Sequence, residues 1–96
     1  VKRARKGNKM KILKFQAVWC NSCHFLSETL SKMELGMIVE PVDIDRDVAI
    51  CSEYGVRSIP TMILIDDKGI EQARMNGNQT PAKITEFIKK GAASVK

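Results

Sequence analysis

The order of patterned segments predicts an α/β fold, β-α-β-α-β-β-α, with a four-stranded mixed sheet flanked by helices. Three observations predict it. Short β-prone apolar runs alternate with stretches of helical periodicity, two strand–helix–strand units precede a closing hairpin, and the 96-residue chain has room for one core only. The two units make the sheet parallel in part, and the hairpin adds an antiparallel edge.

The first strand is predicted over residues 11–18, where Ile12, Leu13, Phe15 and Val18 form a run that ends at Trp19-Cys20. From 22 to about 35 the period becomes helical. Phe25, Leu26, Leu30 and Met33 recur at spacings of three and four, Glu28 and Lys32 form an outward i,i+4 pair, and Gly36 supplies a stop. A second strand spans 38–44, and Pro41 within it favours an edge or a bulge. Asp45 or Asp47 caps a short helix running through Tyr54 and closed by Gly55. Residues 61–65 read as a strand, Asp66-Asp67-Lys68-Gly69 as a hairpin turn, and 70–75 as the return strand, broken by Gly77-Asn78. Thr80 opens the last helix with Pro81 at its first position; Ile84, Phe87 and Ile88 share a face, and Lys89 and Lys90 suit the C-terminal end.

The formal charge of +5 is unevenly placed. Lys2, Arg3, Arg5, Lys6, Lys9 and Lys11 put six positive charges in the first eleven residues, leaving ten basic residues against all eleven acids. Residues 1–9 are expected to be a mobile, solvated basic arm, and 10–96 the folded domain; an arm for nucleic acid or anionic lipid is the weaker reading. Met10 also reads as an alternative translation start. No apolar run approaches the roughly 20 residues needed to span a bilayer. The apolar segment after Met10 is broken by Lys11, Lys14 and Gln16, so no secretory core is expected and a cytoplasmic location is. Three cysteines, two of them in one C-x-x-C, make no disulfide framework; in a reducing compartment they point to redox or metal chemistry.

Trp19-Cys20-Asn21-Ser22-Cys23 falls at the junction of the first strand and the first helix. Unpaired N–H groups and the positive dipole end of a helix favour a sulfur there as thiolate, which is the nucleophilic form. Cys20 is expected in the exposed N-terminal position and Cys23 on the same face, deeper. That spacing lets the two sulfurs join with little backbone change.

With the W-C-x-x-C at a strand–helix junction, Ile59-Pro60-Thr61 opening a later strand and Gly77 after the last strand, the chain resembles the thioredoxin family over about residues 10–91. The resemblance implies a thioredoxin-like fold and a thiol–disulfide oxidoreductase that reduces protein disulfides, with a thioredoxin reductase as donor and no bound cofactor or metal. It implies a monomer with a part in electron transport and redox homeostasis. It also implies that Pro60 is cis, faces the dithiol and keeps metal from it, and that Ile59 pairs backbone-to-backbone with substrate. Trp19, Ile59, Pro60 and Gly77 match the family's apolar rim, with Thr61 beside them. Two departures stand out. Asn21-Ser22 replaces Gly-Pro between the cysteines, and Lys14 occupies the place of a buried carboxylate that assists proton transfer at the second cysteine. Its usual lysine partner aligns with Pro41, beside Glu40, so a swapped Lys14–Glu40 ion pair is a further expectation. The family's leading strand and helix have no counterpart, which reads as a shortened form.

Rival readings exist for the same residues. Cys20-Asn21-Ser22-Cys23-His24 also matches a haem attachment pattern, but the strand-rich setting and the missing export route favour a redox dithiol. Zinc on Cys20, Cys23, His24 and Cys51 is disfavoured because adjacent Cys23 and His24 diverge by about 100° on a helix. Cys51 is expected to pack in the core. The Asp43-Ile44-Asp45-Arg46-Asp47 run resembles a calcium loop without its glycine, and a strand end plus helix cap explains it. A non-catalytic thioredoxin-fold binding module and a glutaredoxin-like, glutathione-dependent reductase are the alternative functions.

Overall fold

The computed structural model describes residues 10–93; the basic arm expected over 1–9 lies outside the described residues. The elements are β1 (Lys11–Gln16), α1 (Asn21–Ser31), β2 (Ile38–Asp43), α2 (Val48–Glu53), β3 (Thr61–Ile65), β4 (Glu71–Asn76) and α3 (Pro81–Ala93). They form a four-stranded sheet in the order β2-β1-β3-β4. β1 runs parallel to β2, and the β1–β3 and β3–β4 pairs are antiparallel. The mixed sheet is as expected, but only the first strand–helix–strand unit gives a parallel pair. After α2 the chain passes β1 and returns on its far side in the opposite direction.

Period-two alternation sends the residues of β1 to two cores. Ile12 joins Leu26 and Leu30 of α1, Met62 and Leu64 of β3, and Ile84 and Phe87 of α3. Leu13 and Phe15 join Val42, Ile63 and Ile65, with Ile50, Cys51 and Tyr54 from around α2 packed against them. β3 lies between β1 and β4 and is buried along its whole length, which explains its unbroken apolar run. β2 is an edge strand, where the missing N–H of Pro41 costs no central ladder bond.

Several element ends differ from the periodicity, and β1 is the first of them, stopping at Gln16 so that Val18 falls in the turn beyond it. α1 stops at Ser31, short of 35, because the Lys32 and Met33 N–H groups bond three residues back, to Thr29 O at 3.2 Å and Leu30 O at 3.1 Å. Met33 and Leu35 still pack on the core, so their apolar spacing serves a turn and not a helix. Asp47 is the residue before α2, but its carboxylate caps nothing in that helix and accepts instead from Asp43 N at 3.3 Å. Ile70 lies in the hairpin turn, its N–H donating to Asp66 Oδ1 at 2.9 Å alongside that of Lys68 at the same distance. These bonds hold the Asp66 carboxyl below its ordinary pKa, the Ile70 amide contributing most. At the other end, Thr80 does cap α3, its Oγ1 accepting from Lys83 N at 3.3 Å. Gly91 on α3 lies so close to β3 that a Cβ would sit 2.1 Å from Leu64 Cδ2, and Leu64 is wholly buried.

Candidate active site

β1 ends at Gln16, and a turn closed by Cys20 N donating to Ala17 O at 3.2 Å delivers the chain into α1. Cys20 is the N-cap residue, in extended conformation at φ −96° and ψ 108°. Its side chain does what a serine or aspartate does at that position: the Cys23 backbone N–H donates to Cys20 Sγ at 3.1 Å. One otherwise unpaired N–H of the first helical turn thus faces the sulfur.

The depth of the pair is a correction. Cys20 is only 8% exposed and Cys23 only 2%, so the outer sulfur is nearly covered. Cys20, Cys23 and Ala17 form a small buried cluster, and Ile44 and Ile59 pack against it. Ile59 is what brings the two distant segments together. It precedes a cis Ile59–Pro60 bond, and Pro60 is buried. The loop is tied to β4 and the residue after it: Gly77 N donates to Pro60 O at 2.8 Å, and the Thr61 hydroxyl bridges Ser58 O at 2.7 Å and the Asn76 side-chain amide at 2.9 Å. Gly77 has φ +75°, a conformation only glycine takes without strain. Thr61 is buried with Pro60 and therefore holds the loop in place; its side chain offers no accessible contact.

Trp19 is 64% exposed and fixed by its indole, Nε1 donating to Asp45 Oδ2 at 2.9 Å. The sequence offers Asp45 only as a helix-cap candidate. Val18, expected at the end of the first strand, lies in the turn next to Trp19 and is 75% exposed, and Phe25, one of the three–four repeat residues of the helix, is 62% exposed. Helical spacing alone could not separate Phe25 from Leu26, since both fit a three–four pattern. His24 Nε2 donates to Val18 O at 2.8 Å, joining the helix to the loop that carries Trp19.

Lys14 is buried at 3% exposure, on the face of β1 that also carries Ile12. Its Nζ donates to Gln16 Oε1. The expected Lys14–Glu40 pair is absent: Lys14 stands opposite Pro41 in the register, whereas Glu40 stands opposite Leu13 and faces the other side of the sheet. There Glu40 accepts from Lys11 at 2.6 Å. Burial pushes the Lys14 ammonium below its ordinary pKa, while negative charge on Cys23 and Cys20 would pull it back up. Burial pushes the Cys23 thiol up, its bond to the Cys20 side chain does the same, and Lys14 opposes both weakly.

Cys51, on α2, is half-buried, and burial followed by the Asp47 carboxylate raises its pKa, so it stays a thiol. It also lines a cavity of about 210 Å³ shared with Trp19 and Ile59. All three cysteines are free.

A mixed sheet of this order with a C-x-x-C at the first helix is a thioredoxin-like fold, and comparison with known proteins agrees. The thioredoxin family model matches residues 2–90, so the chain belongs to the thioredoxin family. It is 38% identical over 80 residues to a thioredoxin of Chlamydia caviae, covering 80% of this chain and 78% of that one. It is 32% identical over 75 residues to an H-type thioredoxin of Brassica campestris, covering 75% of this chain but only 59% of the relative. The structure resembles mitochondrial thioredoxin 3 of Saccharomyces cerevisiae in its oxidised form, with a TM-score of 0.74 and 26% identity, covering 85% of this chain and 78% of that one.

Proposed function

We propose that the chain reduces disulfides in protein substrates by exchange through Cys20 and Cys23. The observation that carries this is the Cys20 sulfur at the helix N-cap, hydrogen-bonded to the Cys23 N–H and packed against the Ile59–Pro60 loop. The Cys20 thiolate attacks one sulfur of the substrate disulfide. The substrate S–S bond breaks, a mixed disulfide forms, and the departing sulfur leaves as a thiolate that takes a proton. Cys23 then loses its proton and attacks Cys20 Sγ, forming the intramolecular disulfide and releasing the second substrate sulfur. Two electrons and two protons have passed to the substrate. A thioredoxin reductase returns them, and the exchange uses no prosthetic group.

Because Cys20 is nearly covered, substrate reaches it as an extended segment laid along the exposed rim of Trp19, the Ile59 backbone and Gly77. Pro60 shapes the floor and Thr61 anchors it. Cys23, held protonated by burial, waits as the resolving thiol, and Lys14 supplies the cation that eases its ionisation once Cys20 is engaged. Residues 10–96 act as one catalytic domain, working as a cytoplasmic monomer. No helix among the described residues is long and apolar enough to cross a membrane. The test is insulin reduction driven by dithiothreitol. The chain should accelerate precipitation of the insulin B chain well above dithiothreitol alone; no acceleration would leave the binding-module reading in its place.

A further inference from the structure

A lysine with almost no solvent contact ordinarily meets a carboxylate, because an ammonium has three N–H donors and a large desolvation cost. Lys14 meets none among the described residues: one donor goes to Gln16, and the register sends Glu40 to the opposite face of the sheet. Beside it a cavity of about 380 Å³ opens between β1, β2 and α1. Lys14 and Gln16 provide its polar end, Leu30, Leu35, Val39 and Pro41 its aliphatic walls, and Ser27 and Ser31 part of its rim. The volume is at the small end of the roughly 300–1,000 Å³ typical of ligand sites.

We propose that this cavity binds a free aliphatic monocarboxylate, whose carboxylate pairs with the Lys14 ammonium while its short chain lies against Leu30, Leu35 and Val39. One cation balances one negative charge, so a phosphate dianion would leave a charge uncompensated in an apolar wall. A halide would satisfy Lys14 but leave the aliphatic walls against water. The carboxylate answers both ends of the cavity.

A consequence follows for the sulfurs. Lys14 interacts electrostatically with Cys23 and Cys20, so a bound carboxylate and a thiolate compete for one cation. Linkage makes the effect reciprocal: the ligand binds the disulfide form more tightly than the reduced form at a pH where a thiolate is present. This coupling rests on the dithiol-exchange reading, whereas binding itself does not.

The experiment is a butyrate titration of the oxidised chain, followed by amide NMR shifts, with butyramide as the uncharged control. Saturable butyrate binding is expected, with shifts centred on Gln16, Leu30 and Val39, and butyramide at least tenfold weaker. Lys14→Met should weaken butyrate at least tenfold. Leu35→Trp, which fills the cavity and leaves the cation, should do likewise. Absence of saturable butyrate binding, equal affinity for butyramide, or retained affinity in Lys14→Met would each overturn the proposal. Should Lys14→Met fail to fold, the butyramide and Leu35→Trp arms still decide. Insulin reduction is read separately, so an inactive chain that binds butyrate defeats the exchange reading alone.

Discussion

Cys20→Ser is expected to bring insulin reduction down to the rate of dithiothreitol alone, whereas Cys51→Ser should keep it within about twofold. The contrast follows from where the sulfurs stand. Cys20 accepts the N–H of the first helical turn and adjoins the Ile59–Pro60 loop, so a serine there keeps the cap but cannot attack a disulfide at neutral pH. Cys51, half-buried on α2, packs against the core, and its proton is held by burial and by Asp47. Loss of activity in Cys51→Ser with retention in Cys20→Ser would reverse the assignment.

Lys14→Met is expected to stabilise the protein at pH 7, on the order of the 1–4 kcal/mol seen when buried ion pairs give way to apolar side chains. The pH dependence gives the sign independently. The Lys14 pKa is lowered in the folded state, so between that value and the ordinary lysine pKa the unfolded chain binds the extra proton. Stability of the wild type should therefore rise with pH through this window as the folded ammonium is neutralised, and the penalty should be full below it. The Cys23, Cys51 and Tyr54 groups have raised values and pull the other way in alkali. Subtracting the Lys14→Met curve from the wild-type curve, each from urea melts at several pH values, removes the Cys51 and Tyr54 contributions and keeps that of Cys23 only as far as Lys14 shifts it. A wild type more stable than Lys14→Met at pH 7 would show instead that the cation has found a counter-ion.

Much of the fold was legible because its signals are local. The unbroken Thr61–Ile65 run marks a strand buried on both faces, Thr80-Pro81 marks a helix start, and a proline inside Ile38–Asp43 marks an edge. What sequence reasoning missed depends on partners far along the chain. Nothing near Lys14 says that Glu40 will face away; that requires the β1–β2 register. Nothing in a helical period distinguishes Phe25 from Leu26, because only the position of the sheet decides which is covered. The same holds for Cys20, whose near burial comes from Ile59, thirty-nine residues later. Asp45 was visible as a helix-cap candidate, while its bond to Trp19 needed the second strand to end beside the first helix. The site itself was readable as a set of residues, and its depth and its counter-charges were not.

The most direct test of the central claim is to map the mixed disulfide. Cys23→Ser, incubated with an oxidised peptide substrate and quenched in acid, should carry that peptide on residue 20, seen as one linked fragment by mass spectrometry and released by dithiothreitol. The peptide on Cys51, or no adduct at all while the wild type still reduces insulin, would contradict it.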